Sequence, residues 1–296
     1  MKKLTILIGF TLVLLSCGKN KNTFDASGTF EAEETIISSE VSGVIKEFNI
    51  TEGQSIVAGQ TIGFIDSTQL YLKRKQLEAQ ILALQSKKPD VAIQLAALQE
   101  QLKTAETEQI RISNLVKADA ATMKQLDDIN ATIEVLKKQI KAQKSALDIS
   151  TAGITTEEVP LEVQIEQLKD QLSKCILVNP VNGTVLTKYA EKFEMTLPGK
   201  PLYKVADLSA IILRTYVTGD QLPKIKLNQK VTVSTDDGNG GFKKTEGIIT
   251  WINDKAEFTP KTIQTKDERA NMVYATKIQV KNDGSYKIGM YGEINF

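Results

Sequence analysis

Histidine is absent from the 296 residues, which removes the commonest general base and the commonest transition-metal ligand. Neither a Ser-His-Asp triad nor a His-ligated zinc can be built within this chain. Two cysteines remain, Cys17 and Cys175, and neither stands in a CxxC-type spacing. A Cys17–Cys175 disulfide is formally open. Carboxylates and lysines could act as acids or bases, but no motif singles any of them out. The run Asp236-Asp237-Gly238-Asn239-Gly240-Gly241 is glycine-rich. It is too short for a phosphate-binding loop and lacks the strand–loop–helix setting. A formal net charge of +1 argues against nucleic acid as a partner. These residue types point to a chain that is not an enzyme and that uses no metal and no cofactor. The informative residues are then those that could attach the chain or dock it.

Cys17 is the first of these. Lys2 and Lys3 precede an apolar stretch from Leu4 to Leu15. As a helix that stretch would rise about 18 Å, short of a bilayer core of roughly 30 Å. It reads as a signal-peptide core. It ends in Leu14-Leu15-Ser16-Cys17-Gly18, which resembles a bacterial lipobox. The resemblance implies acylation of Cys17 and removal of what precedes it. The plainer alternative is a secreted protein with a chance cysteine. Residues 1–17 are thus a lipoprotein signal, and 18–27 a polar tether.

The elements that must position any docking residue come from a weak internal repeat. One copy runs from Val41-Ser42-Gly43-Val44-Ile45 through Gly53 and Gly59 to Phe64-Ile65-Asp66. The other runs from Val181-Asn182-Gly183-Thr184-Val185 through Gly199 to Val205-Ala206-Asp207. In both, a Gly stands two residues after Val and a second Gly follows 16 positions later. Both read as short strands punctuated by Gly turns. Segments this short seldom bury enough surface alone. The two copies, 28–66 and 175–207, are therefore expected to pack into one small β-sandwich.

Residues 67–174 must then leave that body and return. Leu95, Leu98, Leu102, Ala105, Gln109, Ile112 and Val116 alternate three and four apart, as do Leu126, Ile129, Ile133, Leu136, Ile140, Gln143 and Leu147. This is the a/d seam of a coiled coil, and it predicts an antiparallel helical hairpin with its tip near 117–122. Lys88-Pro89-Asp90 breaks the outgoing arm and Ser150-Thr151-Ala152-Gly153 the returning one. Breaks at matching depth predict two stacked helical tiers. If all helical, residues 68–117 would reach about 75 Å, which suggests an arm used for reach.

In the last third, Ala210–Val217, Lys230–Thr235, Thr245–Ile252 and Val273–Lys281 read as strands, with a hairpin-type turn at 236–241. A small antiparallel β-barrel over 208–296 is the expected outcome. Trp251 is placed in its core or at its edge.

The lipobox, the split lipoyl-like repeat, the inserted hairpin and the β-rich end together resemble the HlyD-type membrane fusion proteins. The fold class expected is mixed α and β. It comprises a split lipoyl-like β-sandwich, a long antiparallel coiled-coil hairpin inserted in it, and a C-terminal antiparallel β-barrel. The tip sharpens the resemblance: Arg111, Leu115, Thr122, Leu126 and Asp127 match the family's Arg, Leu, Ser/Thr and Asp tip pattern, Leu126 falling just before the Asp. In the family the tip meets a TolC-type outer-membrane channel. The same residues have plainer readings. Arg111 and Asp127 could form an interhelical ion pair, Thr122 could cap a helix, and Leu115 and Leu126 could close the seam. Phe258-Thr259-Pro260-Lys261, Gln264-Thr265, Glu268-Arg269 and Val273-Tyr274-Ala275 resemble the YbhG-like branch, often paired with ABC-type exporters. Where that branch has Pro-Gly-Met, this chain has Ile288-Gly289-Met290.

The resemblance implies a periplasmic adaptor lipid-anchored to the cell membrane, the inner membrane being preferred. It would link an inner-membrane transporter to the channel for efflux or secretion. An ABC partner is favoured because little chain follows for a further membrane-proximal domain. An RND partner and a non-transport envelope coiled coil are the alternatives. A hexameric ring of copies is implied in the same way. A lipoylated carrier is the remaining rival, but no hairpin presents an Asp-Lys-Ala or Met-Lys-type attachment lysine.

Overall fold

The computed structural model describes residues 24–238, 240–258 and 272–296. The first five strands are β1 (Ala26–Glu31), β2 (Glu34–Ser38), β3 (Gly43–Phe48), β4 (Ser55–Ile56) and β5 (Thr61–Ile65). Three helices follow, α1 (Thr68–Gln85), α2 (Val91–Lys117) and α3 (Met123–Lys174). Then come β6 (Ile176–Val178), β7 (Gly183–Lys188), β8 (Met195–Thr196) and β9 (Pro201–Ala206). The last strands are β10 (Ala210–Thr218), β11 (Lys230–Asp236), β12 (Phe242–Ile252), β13 (Glu257–Phe258), β14 (Met272–Lys281) and β15 (Tyr291–Asn295).

The two copies of the repeat meet, and they do so by exchanging strands. One sheet has the order β2-β9-β7-β4 and the other β6-β5-β3-β8. Thus β4 of the first copy pairs with β7 of the second, and β8 of the second pairs with β3 of the first. The strands that lead into each copy behave alike: β2 pairs with β9 and β6 with β5. The loop hydrogen bonds repeat the relation. Ser39 N donates to Lys200 O as Asn179 N donates to Gln60 O, both at 2.9 Å. Gly53 N donates to Val185 O as Phe193 N donates to Ile45 O, both at 2.8 Å. One apolar core, including Ile45, Ile56, Ile65, Leu177, Val185, Leu202 and Val205, serves both copies.

The repeated glycines are explained by this close approach. A Cβ on Gly43 would lie 2.6 Å from Ile65 Cγ2, and one on Gly183 would lie 2.6 Å from the Ala206 carbonyl oxygen. Gly59 and Gly199 turn with φ of +82° and +84°, where side chains are disfavoured.

The helices leave from β5 and return into β6. Helix α3 runs antiparallel to α1 and α2 and packs on both. Leu95, Ala105, Ile133 and Leu147 of the seam are buried. Gln109 in the seam donates from Nε2 to Asn130 Oδ1 at 2.6 Å, so this polar position is satisfied across the helix pair.

One expected feature is overturned. The returning arm has no break at Ser150–Gly153: α3 is continuous over 52 residues. The seam carries through that stretch, since Leu147 is followed at heptad distance by Ile154 and then by Leu161 and Ile165. Thr151 and Thr155 turn their hydroxyls onto the carbonyls of Leu147 and Thr151, so they stay within the helix. Gly153 faces open space and costs only helix propensity. The outgoing arm does break, between Gln85 and Val91, where Asp90 caps α2 through Ile93 N at 3.1 Å. The expectation of two tiers therefore holds for one arm only.

Six strands close a ring in the order β10-β1-β15-β11-β12-β14, with β14 returning to β10 and β13 added outside on β14. A second correction follows. Residues 28–31, expected in the first repeat copy, and Ala26 and Ser27, expected in the tether, belong to β1 and so to this barrel, paired with β10 and β15. Gly28 allows it, because a Cβ there would sit 1.8 Å from the Arg214 carbonyl oxygen. The Ile288-Gly289-Met290 turn forms without proline. Gly289 has φ of +83° at the third position, as a type II turn requires, and Met290 N bonds back to Lys287 O at 3.1 Å. Gly289 N and Met290 O then bind the backbone of Phe30. Trp251 lies on the outside of β12, more than a third exposed, with Lys277 Nζ 5.9 Å from its ring centre.

Candidate functional site: the helical tip

The turn between α2 and α3 is five residues long and satisfies itself. Asp119 takes the left-handed conformation, with φ of 56°. Ala120 N donates to Leu115 O at 2.8 Å and Asp119 N to Val116 O at 3.1 Å, the two bonds of a Schellman motif. Thr122 then opens α3 with a capping box. Its Oγ1 accepts from Gln125 N at 3.3 Å, while Gln125 Oε1 accepts from Thr122 N at 2.8 Å. The Schellman bonds and the capping box thus satisfy part of the backbone at both helix ends from within, and leave the side chains on the turn free to meet a partner.

Thr122 is therefore a cap. Leu126 is half-buried and closes the seam above Ile129. Leu115 is 37% exposed and Met123, which the sequence pattern did not flag, is 61% exposed. Arg111 and Asp127 do not pair, which corrects the interhelical ion pair considered for them. Arg111 turns back on its own helix, donating from Nε to Glu108 Oε2 at 2.9 Å and from Nη2 to Glu108 Oε1 at 2.5 Å. The three-residue spacing makes this the nearer partner. That bidentate bond holds the Glu108 carboxyl below its usual range and raises the Arg111 guanidinium. Asp127 has no ion-pair partner among the described residues and stays exposed. Glu108 and Met123 are the residues that sequence reasoning missed. The i,i+3 spacing of Glu108 to Arg111 was the available signal.

The tip is thus an apolar point, Leu115 and Met123, ringed by charge, with no nucleophile–base pairing. Among the described residues no group of three His, Cys, Asp or Glu could hold a metal ion. Cys175 caps the far end of α3 and is buried in the β core. Burial raises its thiol pKa, and its Sγ lies 3.3 Å from Gln171 O. Cys17, the expected lipid-attachment residue, lies outside the described residues, as do Thr259 to Arg269 of the branch pattern. No described helix is long and apolar enough to cross a membrane.

Two exchanging β-repeats, a helical excursion between them and a six-stranded barrel are the architecture that the resemblance to membrane fusion proteins implies. No protein-family model matches the chain. A UPF0194 membrane protein of Acidithiobacillus ferridurans is 22% identical over 88% of this chain and 83% of its own length. One from Yersinia pseudotuberculosis is 25% identical over 86% and 84%. The crystal structure of MacA from Actinobacillus actinomycetemcomitans shares the fold, with a TM-score of 0.54 at 21% identity over 93% of this chain and 79% of that one.

Proposed function

We propose that the chain is a periplasmic adaptor, anchored by a lipid on Cys17, that joins an inner-membrane exporter to a TolC-type outer-membrane channel. The exporter is of the ABC type on this reading, which rests on the resemblance to the YbhG-like branch. The barrel and the paired β sheets face the exporter, copies of the chain assemble as a ring, and the energy for transport comes from the partner. Residues 34–66 and 175–207 act as one lipoyl-like unit, and 67–174 act as its projecting arm.

One observation carries the reading. Strand exchange ties both ends of the helical excursion to a single small body, and the excursion reverses in a turn held by a Schellman motif and a capping box. Leu115 and Met123 are what that turn offers. Contact with a channel needs only a complementary apolar socket and charge-matched rim.

The test replaces Leu115 by a photo-crosslinking residue in the full-length protein in cells. An adduct with the outer-membrane channel is expected. In parallel, the double variant Leu115→Ser, Met123→Ser should lose export while keeping its melting temperature. A folded double variant that exports at the wild-type rate, with no channel adduct from position 115, overturns the proposal.

A further inference from the structure

A charged side chain is buried in the middle of the arm. Glu158 occupies the seam of α3, and only 7% of its side chain is exposed. Lys88, in the linker between α1 and α2, reaches it with Nζ 3.0 Å from Oε1 and 3.1 Å from Oε2, the second with hydrogen-bond geometry. An isolated coiled coil has no use for a carboxylate at such a position, since desolvating it is costly.

The surroundings show what the pair joins. On the outgoing side the helix is absent: α1 stops at Gln85, two turn bonds follow from Lys87 N and Lys88 N, and Pro89 prevents continuation into α2. On the returning side, Pro160 lies inside α3 two residues from Glu158 and removes a backbone donor there. Thr156 turns its hydroxyl onto the Ala152 carbonyl, the bond that Thr151 and Thr155 also make on the turns before it. Both arms are therefore at their weakest at one level, and the only charged contact across that level among the described residues is Lys88–Glu158.

We propose that this level is a hinge in the arm and that the Lys88–Glu158 pair is the latch that sets its angle. Closed, the latch holds α2 in line with α1. Open, the distal part of the arm swings about residues 86–90 and 156–160 while each part keeps its own seam. The inference concerns the arm alone and stands whether or not the tip meets a channel.

The experiment places spin labels at Lys73 and Lys103, exposed positions on either side of the joint, in the full mature chain, and measures their distance distribution. The wild type should give one narrow distribution. Glu158→Gln and Lys88→Met should each broaden it markedly. Amide exchange at 86–92 and 154–161 should rise about tenfold or more, as expected for a lost, partly screened buried pair. The double reversal Lys88→Glu, Glu158→Lys should restore both readouts. Exchange in the distal seam around Ile133 should stay unchanged, which separates hinge opening from general unfolding. Folded single variants with wild-type distributions and exchange, or a double reversal no better than the singles, overturn the proposal.

Discussion

The β body and the helical arm are built from the same chain on opposite terms. In the body, Ile45, Ile65, Leu202, Tyr203 and Val205 are wholly buried, and each sheet joins strands from both sides of the excursion. In the arm, the buried positions form a line one side chain deep, through Leu77, Leu95, Ala105, Ile133, Leu147, Glu158 and Ile165. Ile93, Ile110 and Ile149 stand mostly in solvent. Apolar burial stabilises in proportion to area removed from water. The body therefore concentrates stability, and the arm exchanges it for length. Regions drawn from the low-stability end are those that can move or dock.

The largest effect expected is in the body. Ile45→Ala removes a fully buried side chain that both sheets enclose, so about 3–4 kcal/mol should be lost on denaturant unfolding. Ile133→Ala, almost as buried but in a seam that can close around the gap, should lose nearer to about 2 kcal/mol. Equal losses at the two positions would break the contrast between body and arm.

A smaller effect belongs to the tip. Thr122→Ala removes the capping oxygen of α3 and should cost about 1 kcal/mol of local stability. Amide exchange should rise around residues 123–125 and not in β3 or β9. A uniform rise across the molecule would mean that arm and body unfold as one unit.

The contrast also explains what could be read from the sequence. The first and last parts of each repeat were legible because Gly43 and Gly183 are demanded by backbone approach, and Gly59 and Gly199 by positive φ. The middle of the second copy was hidden. Phe193 holds there, at φ of 74°, the left-handed place that Gly53 holds in the first copy. The seam was legible through its 3–4 spacing, and β10, β11, β12 and β14 through their strand-forming residues and the turn at 236–241, whereas β15 was not read as a strand. Ser150–Gly153 misled because local propensity suggested an end where packing on α2 and α1 keeps a helix. Residues 28–31 misled because their partners, β10 and β15, lie far along the chain, where no local pattern reports them. At the tip, spacing placed the turn itself and read Thr122 as a cap and Leu126 as a seam residue. It could not choose between Glu108 and Asp127 as the partner of Arg111, since that depends on rotamer and turn geometry.

The smallest effect lies at the junction of body and arm. Asp66 accepts from Thr68 N at 3.0 Å and Thr68 Oγ1 at 2.7 Å, and pairs with Lys46 at 3.1 Å. The Thr68 bonds, with Lys46 second, lower its pKa from 3.8 to about 2. A carboxyl whose pKa is lowered in the folded state contributes stability that is fully present above its unfolded value. The contribution therefore holds above about pH 4 and is lost as pH falls through about 2. Because Asp66 is open to water, the contribution is modest and screened by salt. Comparing wild type with Asp66→Asn by thermal melting should give a constant difference above pH 4 that shrinks toward zero at pH 2. Protection of the first turn of α1 should follow the same curve, while that of β5 behind it should not. If the first turn of α1 and β5 lose protection together, the arm is anchored by the whole body and not by this carboxylate at the junction. The boundary between the two regions would then have to be drawn further out along α1.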